Sequence, residues 1–96
     1  MPTHEEAPRF RRDWDHLTRG QQEKFLAALN TFVQGLQARP PEFDPALRVK
    51  RVQAWPDVWE MTWAPDGRET FKYGSEVRQG EPHIIWLRIG THKILP

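Results

Sequence analysis

Apolar residues recur at helical spacing in the first third of the chain and alternate with polar ones in the second half. Phe10, Trp14 and Leu17 follow Pro8, whose fixed φ suits a first helical turn, and predict a short helix over Pro8–Leu17. Thr18 and Gln21 stand at the spacing of a capping box and start a second helix. Phe25, Leu29, Phe32 and Leu36, with Leu26 and Val33 beside them, give that helix a wide apolar stripe and carry it to about Gln37. Such a stripe at this period is the buried face of a helix lying on a sheet. Prolines 40, 41 and 45 end it.

Beyond them the period changes to two. Leu47–Gln53 predicts a first strand, with Leu47 and Val49 inward and Arg48 and Lys50 outward. Val58–Trp63 and Arg68–Tyr73 flank Ala64-Pro65-Asp66-Gly67, in which proline presets φ, aspartate can bond the backbone ahead and glycine accepts φ > 0. This predicts a hairpin with Ala64 facing Arg68, Trp63 opposite Glu69, Met61 opposite Phe71 and Trp59 opposite Tyr73. One face then carries Trp59, Met61, Trp63, Phe71 and Tyr73; the other carries Glu60, Thr62, Arg68, Thr70 and Lys72. In the last strand Ile85, Leu87 and Ile89 share the core parity. Trp86, Arg88 and His92 share the other, provided Gly90 does not insert a bulge. Gly74–Pro82 is a polar link, and Met1–Ala7 is flexible or a short edge strand. The expected fold class is α+β: two N-terminal helices packed on one face of a small, mainly antiparallel β-sheet, leaving a charged face open.

Length and composition narrow the possibilities. Ninety-six residues make a single domain, 1–96, with 38% hydrophobic and 28% charged residues, the balance of a folded soluble chain. No apolar run approaches 18 residues and no signal-peptide pattern is present, so a cytoplasmic location away from membranes is expected. With no cysteine there is no disulfide or thiolate chemistry. Histidines 4, 16, 83 and 92 lack metal-ligand spacing, so neither a metal nor another cofactor is expected, and His4, His16 and His83 read as surface residues. The net charge is +1; basic residues exceed acidic ones only in the half that carries the strands.

The residues expected on the open face suit RNA chemistry. Cleavage at an internal phosphate requires a deprotonated 2′-hydroxyl, stabilisation of the phosphorane charge and protonation of the leaving 5′-oxygen. Arg68 and Arg88 would grip the phosphate, and His92 would move protons near neutral pH. Glu60 or Lys72 would partner or orient it, Trp86 would stack on a base, and Arg48, Lys50 and Arg51 would hold backbone phosphates. The same residues also read as cross-strand ion pairs on a solvated face.

The segments LRVKRVQ, VWEMTW, DGRETFKYG and IIWLRIGTHKIL, in that order over residues 47–95, resemble the RelE/ParE superfamily of bacterial type II toxins. The resemblance implies an mRNA endonuclease acting on the ribosome and inhibited by a cognate antitoxin, with Arg68, Arg88 and His92 at the family's catalytic positions. Relatives often carry an aromatic three residues after that histidine, where this chain has Leu95. That departure and the small net charge favour a second reading, a ParE-like toxin that binds DNA gyrase without catalysis. A third is a non-toxic protein-interaction relative that keeps the fold.

Overall fold

A computed structural model describes residues 2–96. Its elements are β1 (Thr3–Glu6), α1 (Pro8–His16), α2 (Arg19–Leu36), β2 (Lys50–Arg51), β3 (Trp59–Thr62), β4 (Gly67–Gly74) and β5 (His83–Thr91). The sheet order is β1-β5-β4-β3-β2; all neighbours are antiparallel except β1, which runs parallel to β5. Both helices pack on one face, so the α+β architecture is as the sequence pattern predicts. The N-terminal segment is an edge strand over Thr3–Glu6, while Met1 lies outside the described residues.

Local chemistry explains the helix boundaries. Pro8 opens α1, and Thr18 accepts the Gln21 N–H at 3.2 Å while the Gln21 side chain accepts the Thr18 N–H at 2.8 Å. Thr18→Ala is expected to cost about 1 kcal/mol, read as a lower urea midpoint with an unchanged slope. The stripe of α2 does go to the core: Phe25, Phe32 and Leu36 are buried against Phe10, Met61, Phe71 and Trp86. Phe32 is fully enclosed, with ring centroids 4.9 to 5.4 Å from Phe43, Phe71 and Trp86.

Four features differ from expectation. Residues 47–53 form little strand: a 3-10 turn spans Pro45–Leu47, Arg48 is left-handed at φ 48°, and only Lys50–Arg51 pairs. Leu47 is taken up in the turn that Pro45 opens and the Ala46 N–H bond to Asp44 caps, and the left-handed Arg48 breaks the alternation before Lys50.

The hairpin register is displaced by two residues, so that Trp59 faces Phe71, Glu60 faces Thr70 and Met61 faces Glu69. An even displacement leaves the two faces unmixed. Gly67 is the first residue of β4 and is not in the left-handed region. It is needed because the Trp63 ring lies on it: a Cβ there would come within 2.6 Å of the indole.

The third difference is the phase of β5. Thr70 faces Arg88 but Phe71 faces Trp86, which leaves Leu87 as an extra residue in a bulge. The break falls at Leu87, not at Gly90, and it reverses the parity of residues 83–86. Ile84, Trp86 and Ile89 therefore face the helices, while Ile85 and Leu87 are half-buried. His83, expected at the surface, is buried: Thr3 Oγ1 lies 2.7 Å from its Nδ1 and Glu5 Oε1 lies 2.9 Å from its Nε2.

Finally, the face opposite the helices is partly covered. After β5 the chain turns over His92–Ile94 in a 3-10 turn, and Ile94 is buried against Gly90, where a Cβ would approach within 3.0 Å. Thr70 and Glu60 are buried as well, so that part of the face is closed, while Lys72 of β4 stays exposed.

Candidate active site

The β3–β4 turn and the end of β5 meet at one rim. Trp63 N–H donates to the Gly67 carbonyl at 3.1 Å, and Gly67 N–H donates to Ala64 at 3.0 Å, which holds Pro65 and Asp66 at the tip. Thr91 stands opposite Gly67 and caps the following turn by accepting the Lys93 N–H, so His92 emerges beside Asp66. The His92 Nδ1 lies 2.6 Å from Asp66 Oδ1. His92 holds the Asp66 carboxyl below the usual carboxylate range, through its side chain and also its backbone N–H, with Arg68 adding to the effect. With Asp66 ionised, Nδ1 carries the proton and Nε2 is the free basic nitrogen. Both side chains are more than half exposed, at 63% and 62%.

Arg68 stands next in the strand. Its Nη1 donates to the carbonyls of Gly67 at 2.9 Å, Pro65 at 3.3 Å and Ala64 at 3.4 Å, which fastens the guanidinium to the turn that carries Asp66. Arg68, Arg48 and Thr62 line a cleft of about 460 Å³. Along the β2 rim a second cleft of about 680 Å³ is lined by Lys50, Arg51, Glu60 and Leu95. Lys50 pairs with Glu60 across the ladder, which halves the charge that this cleft offers an anion. Lys72 is exposed on β4, opposite Ile85.

Other residues selected from the sequence are placed elsewhere. Trp86 is not a surface contact. It is 5% exposed and packs among Phe10, Phe25, Phe32 and Phe71, because the Leu87 bulge turns it inward. Arg88 grips Asp13 of α1 with both arms, at 2.9 and 3.0 Å, and the same carboxylate accepts the Ile89 N–H at 3.2 Å. Burial opposes ionisation of Asp13, but these bonds prevail and hold it below the usual range, while Arg88 is held above its own. The pair ties α1 to the sheet and occupies the arginine. Asp13→Asn is expected to lower stability by about 1–3 kcal/mol at pH 7. The bridge stabilises above the unfolded pKa of aspartate and is lost as pH falls through the depressed folded value, so urea midpoints of variant and parent should converge toward pH 2.

Asp66 is the functional candidate that sequence reading passed over. In the sequence it reads as a turn former, and the signal available is its place two residues before Arg68, the first outward residue of a strand whose neighbour ends at Thr91, next to His92. Among the described residues no group of three or more His, Cys, Asp or Glu could hold a metal ion.

No family model matches this sequence, and no curated protein matches it. Solved structures do. The Escherichia coli DinJ–YafQ complex matches at 17% identity and a TM-score of 0.65, over 99% of this chain and 98% of that one. A histidine-to-glutamine YafQ mutant from E. coli matches at 12% identity and a TM-score of 0.67, over 98% and 97%. The solution structure of HP0894 from Helicobacter pylori matches at 18% identity and a TM-score of 0.63, over 97% of both chains. The fold is that of the RelE-like toxins. In this fold the His92–Asp66 rim and the Arg88–Asp13 bridge both lie on the C-terminal side of the Leu87 bulge. Among the described residues no helix is long and apolar enough to cross a membrane.

Proposed function

We propose that this protein is the toxin of a type II toxin–antitoxin system, a ribosome-dependent mRNA endonuclease that works in the cytoplasm and is silenced by a cognate antitoxin. The observation that carries this reading is the 2.6 Å contact of His92 with Asp66, exposed at the rim beside Arg68. The complexes of YafQ with DinJ support an antitoxin partner.

In this mechanism Asp66 orients the His92 ring and fixes its tautomer, which suits a group that takes and returns a proton. Nε2 removes the proton of a ribose 2′-hydroxyl. The 2′-oxygen attacks the adjacent phosphorus, the bond to the 5′-oxygen breaks, and that oxygen leaves with a proton drawn from solvent, giving a 2′,3′-cyclic phosphate. Arg68, already pinned to the turn, stabilises the charge that develops on the phosphorane without having to reorganise. Arg48 on the opposite wall of the cleft, with Lys50 and Arg51 further along the rim, holds flanking phosphates, and Lys72 lies beyond them. Arg88, committed to Asp13, positions α1 and leaves phosphate contact to Arg68. No step calls for a cofactor.

The test is cell-free translation with purified protein, reading mRNA integrity by primer extension. Discrete cuts that require translating ribosomes are expected. Intact mRNA with normal protein synthesis would overturn the nuclease reading, and inhibition of DNA gyrase supercoiling in its place would identify a ParE-like action.

A further inference from the structure

At the end of the sheet remote from Asp66, Arg51 and Trp59 face each other across the β2–β3 ladder, with the guanidinium carbon 5.3 Å from the centre of the indole. Tyr73 meets the same indole with centroids 6.0 Å apart and planes at 85°; it meets Phe71 at 5.9 Å and 79°. Both neighbours stand steeply to the phenol ring, so neither is stacked flat on it. Tyr73 is 39% exposed. Together with Lys72 and Asp57, these residues line an open cleft of about 500 Å³.

Phe71 is sealed beneath Phe32 and Trp86; Trp59 packs against that core and Tyr73 meets Phe71 edge-on, yet Tyr73 stays open to solvent. Two cations flank the rings against one carboxylate. Arg51 lines both this cleft and the neighbouring one with Lys50. Arg51 thus joins the two clefts at the β2 edge, and Lys72 reaches the aromatic cleft from β4. Six residue steps along β4 separate Gly67 from Tyr73, roughly 20 Å of strand. That is too far for the nucleotide being cut and within reach of its neighbours.

We propose that the Trp59–Tyr73 cleft is a stacking subsite for an unpaired base of single-stranded RNA, with Arg51 and Lys72 on the phosphates beside it. A flat π-face flanked by cations is the arrangement that binds single strands with little sequence preference. The inference rests on the nuclease reading for its biological substrate, but the cleft and the cutting site are separate and can be tested apart.

The probe is a 2′-O-methyl oligoribonucleotide, which cannot be cleaved, titrated against the whole protein with tryptophan fluorescence as readout. Binding with quenching is expected. Tyr73→Ala and Arg51→Ala should each weaken it about tenfold or more, and Glu23→Gln, exposed on α2, should leave it within about twofold. An oligomer of the same length with abasic sites should bind the parent as weakly as the intact oligomer binds Tyr73→Ala. Equal affinity of the parent for intact and abasic strands would overturn the proposal, as would an unchanged affinity in Tyr73→Ala. Circular dichroism of both variants confirms that the fold is intact; Tyr73→Phe, which keeps the π-face, should restore parent affinity. If the oligomer binds in this manner but translated mRNA stays whole, the subsite stands and the nuclease reading falls. If mRNA is cut while Tyr73→Ala and Arg51→Ala bind like the parent, the subsite falls and the nuclease stands.

Discussion

His92→Gln is expected to lower mRNA cleavage by about 10²–10⁴-fold, the range that a positioned general acid or base contributes. Glutamine keeps the length and a hydrogen-bonding end but cannot carry a proton between reacting groups. The His92–Asp66 pair is exposed and screened by solvent, so the urea midpoint should move by no more than a surface substitution moves it, within about 0.5 kcal/mol. Loss of cutting with unchanged stability separates chemistry from folding. Asp66→Asn should give a smaller loss, because the imidazole survives while its tautomer is no longer imposed. Arg68→Ala should also fall, since the cation is held at the turn by three carbonyls. Full activity in His92→Gln would remove the histidine from the mechanism and with it the proposed reaction.

The second large effect concerns Glu69. It sits on β4 between Met61 and Ile89, facing the helices, with no exposed surface and no hydrogen-bond partner for either oxygen. Burial pushes its carboxyl well above the ordinary value of 4.5, so it is held neutral over a range where an exposed glutamate is ionised. The unfolded chain releases this proton at lower pH than the fold does. Stability from this group is therefore complete below about pH 4.5 and declines as pH rises toward the folded value. Glu69→Met should raise the unfolding free energy by about 1–4 kcal/mol at pH 8 and by much less at pH 4.5. Urea titrations at the two pH values give the difference directly. Parallel curves for parent and variant would show that the buried carboxyl costs nothing when the solvent turns basic. The Trp63 indole N–H is likewise buried without a partner, so the hairpin carrying Arg68 combines two unsatisfied groups with a tightly packed turn.

Much of this architecture was legible because single residues carry it. Pro8, the Thr18–Gln21 box and the stripe from Phe25 to Leu36 determine both helices by local chemistry. The alternation around Ala64–Gly67 determines which residues share a face even though the register is displaced. The last strand was not legible past its phase. Leu87 pairs with nothing, and an alternating run of apolar residues carries no mark that one member is skipped. That single bulge accounts for Trp86 lying in the core. The short β2 was obscured because LRVKRVQ alternates well enough for a strand, while the chain spends its first residues closing a 3-10 turn. At the site, Arg68 and His92 could be selected by residue type. Asp66 could not, since an aspartate in a Pro-Asp-Gly turn is already explained by the turn.

The parallel pairing of β1 with β5 has a further consequence. In the sheet residues 3–6 pair with residues 83–86, and β5 stands between β1 and β4, so the first strand has no ladder partner until the chain has been made as far as β5. His92 follows directly on β5. While the protein is being translated its helices and hairpin can form early, but the rim that joins Asp66 to His92 closes only with the strand that also takes up β1.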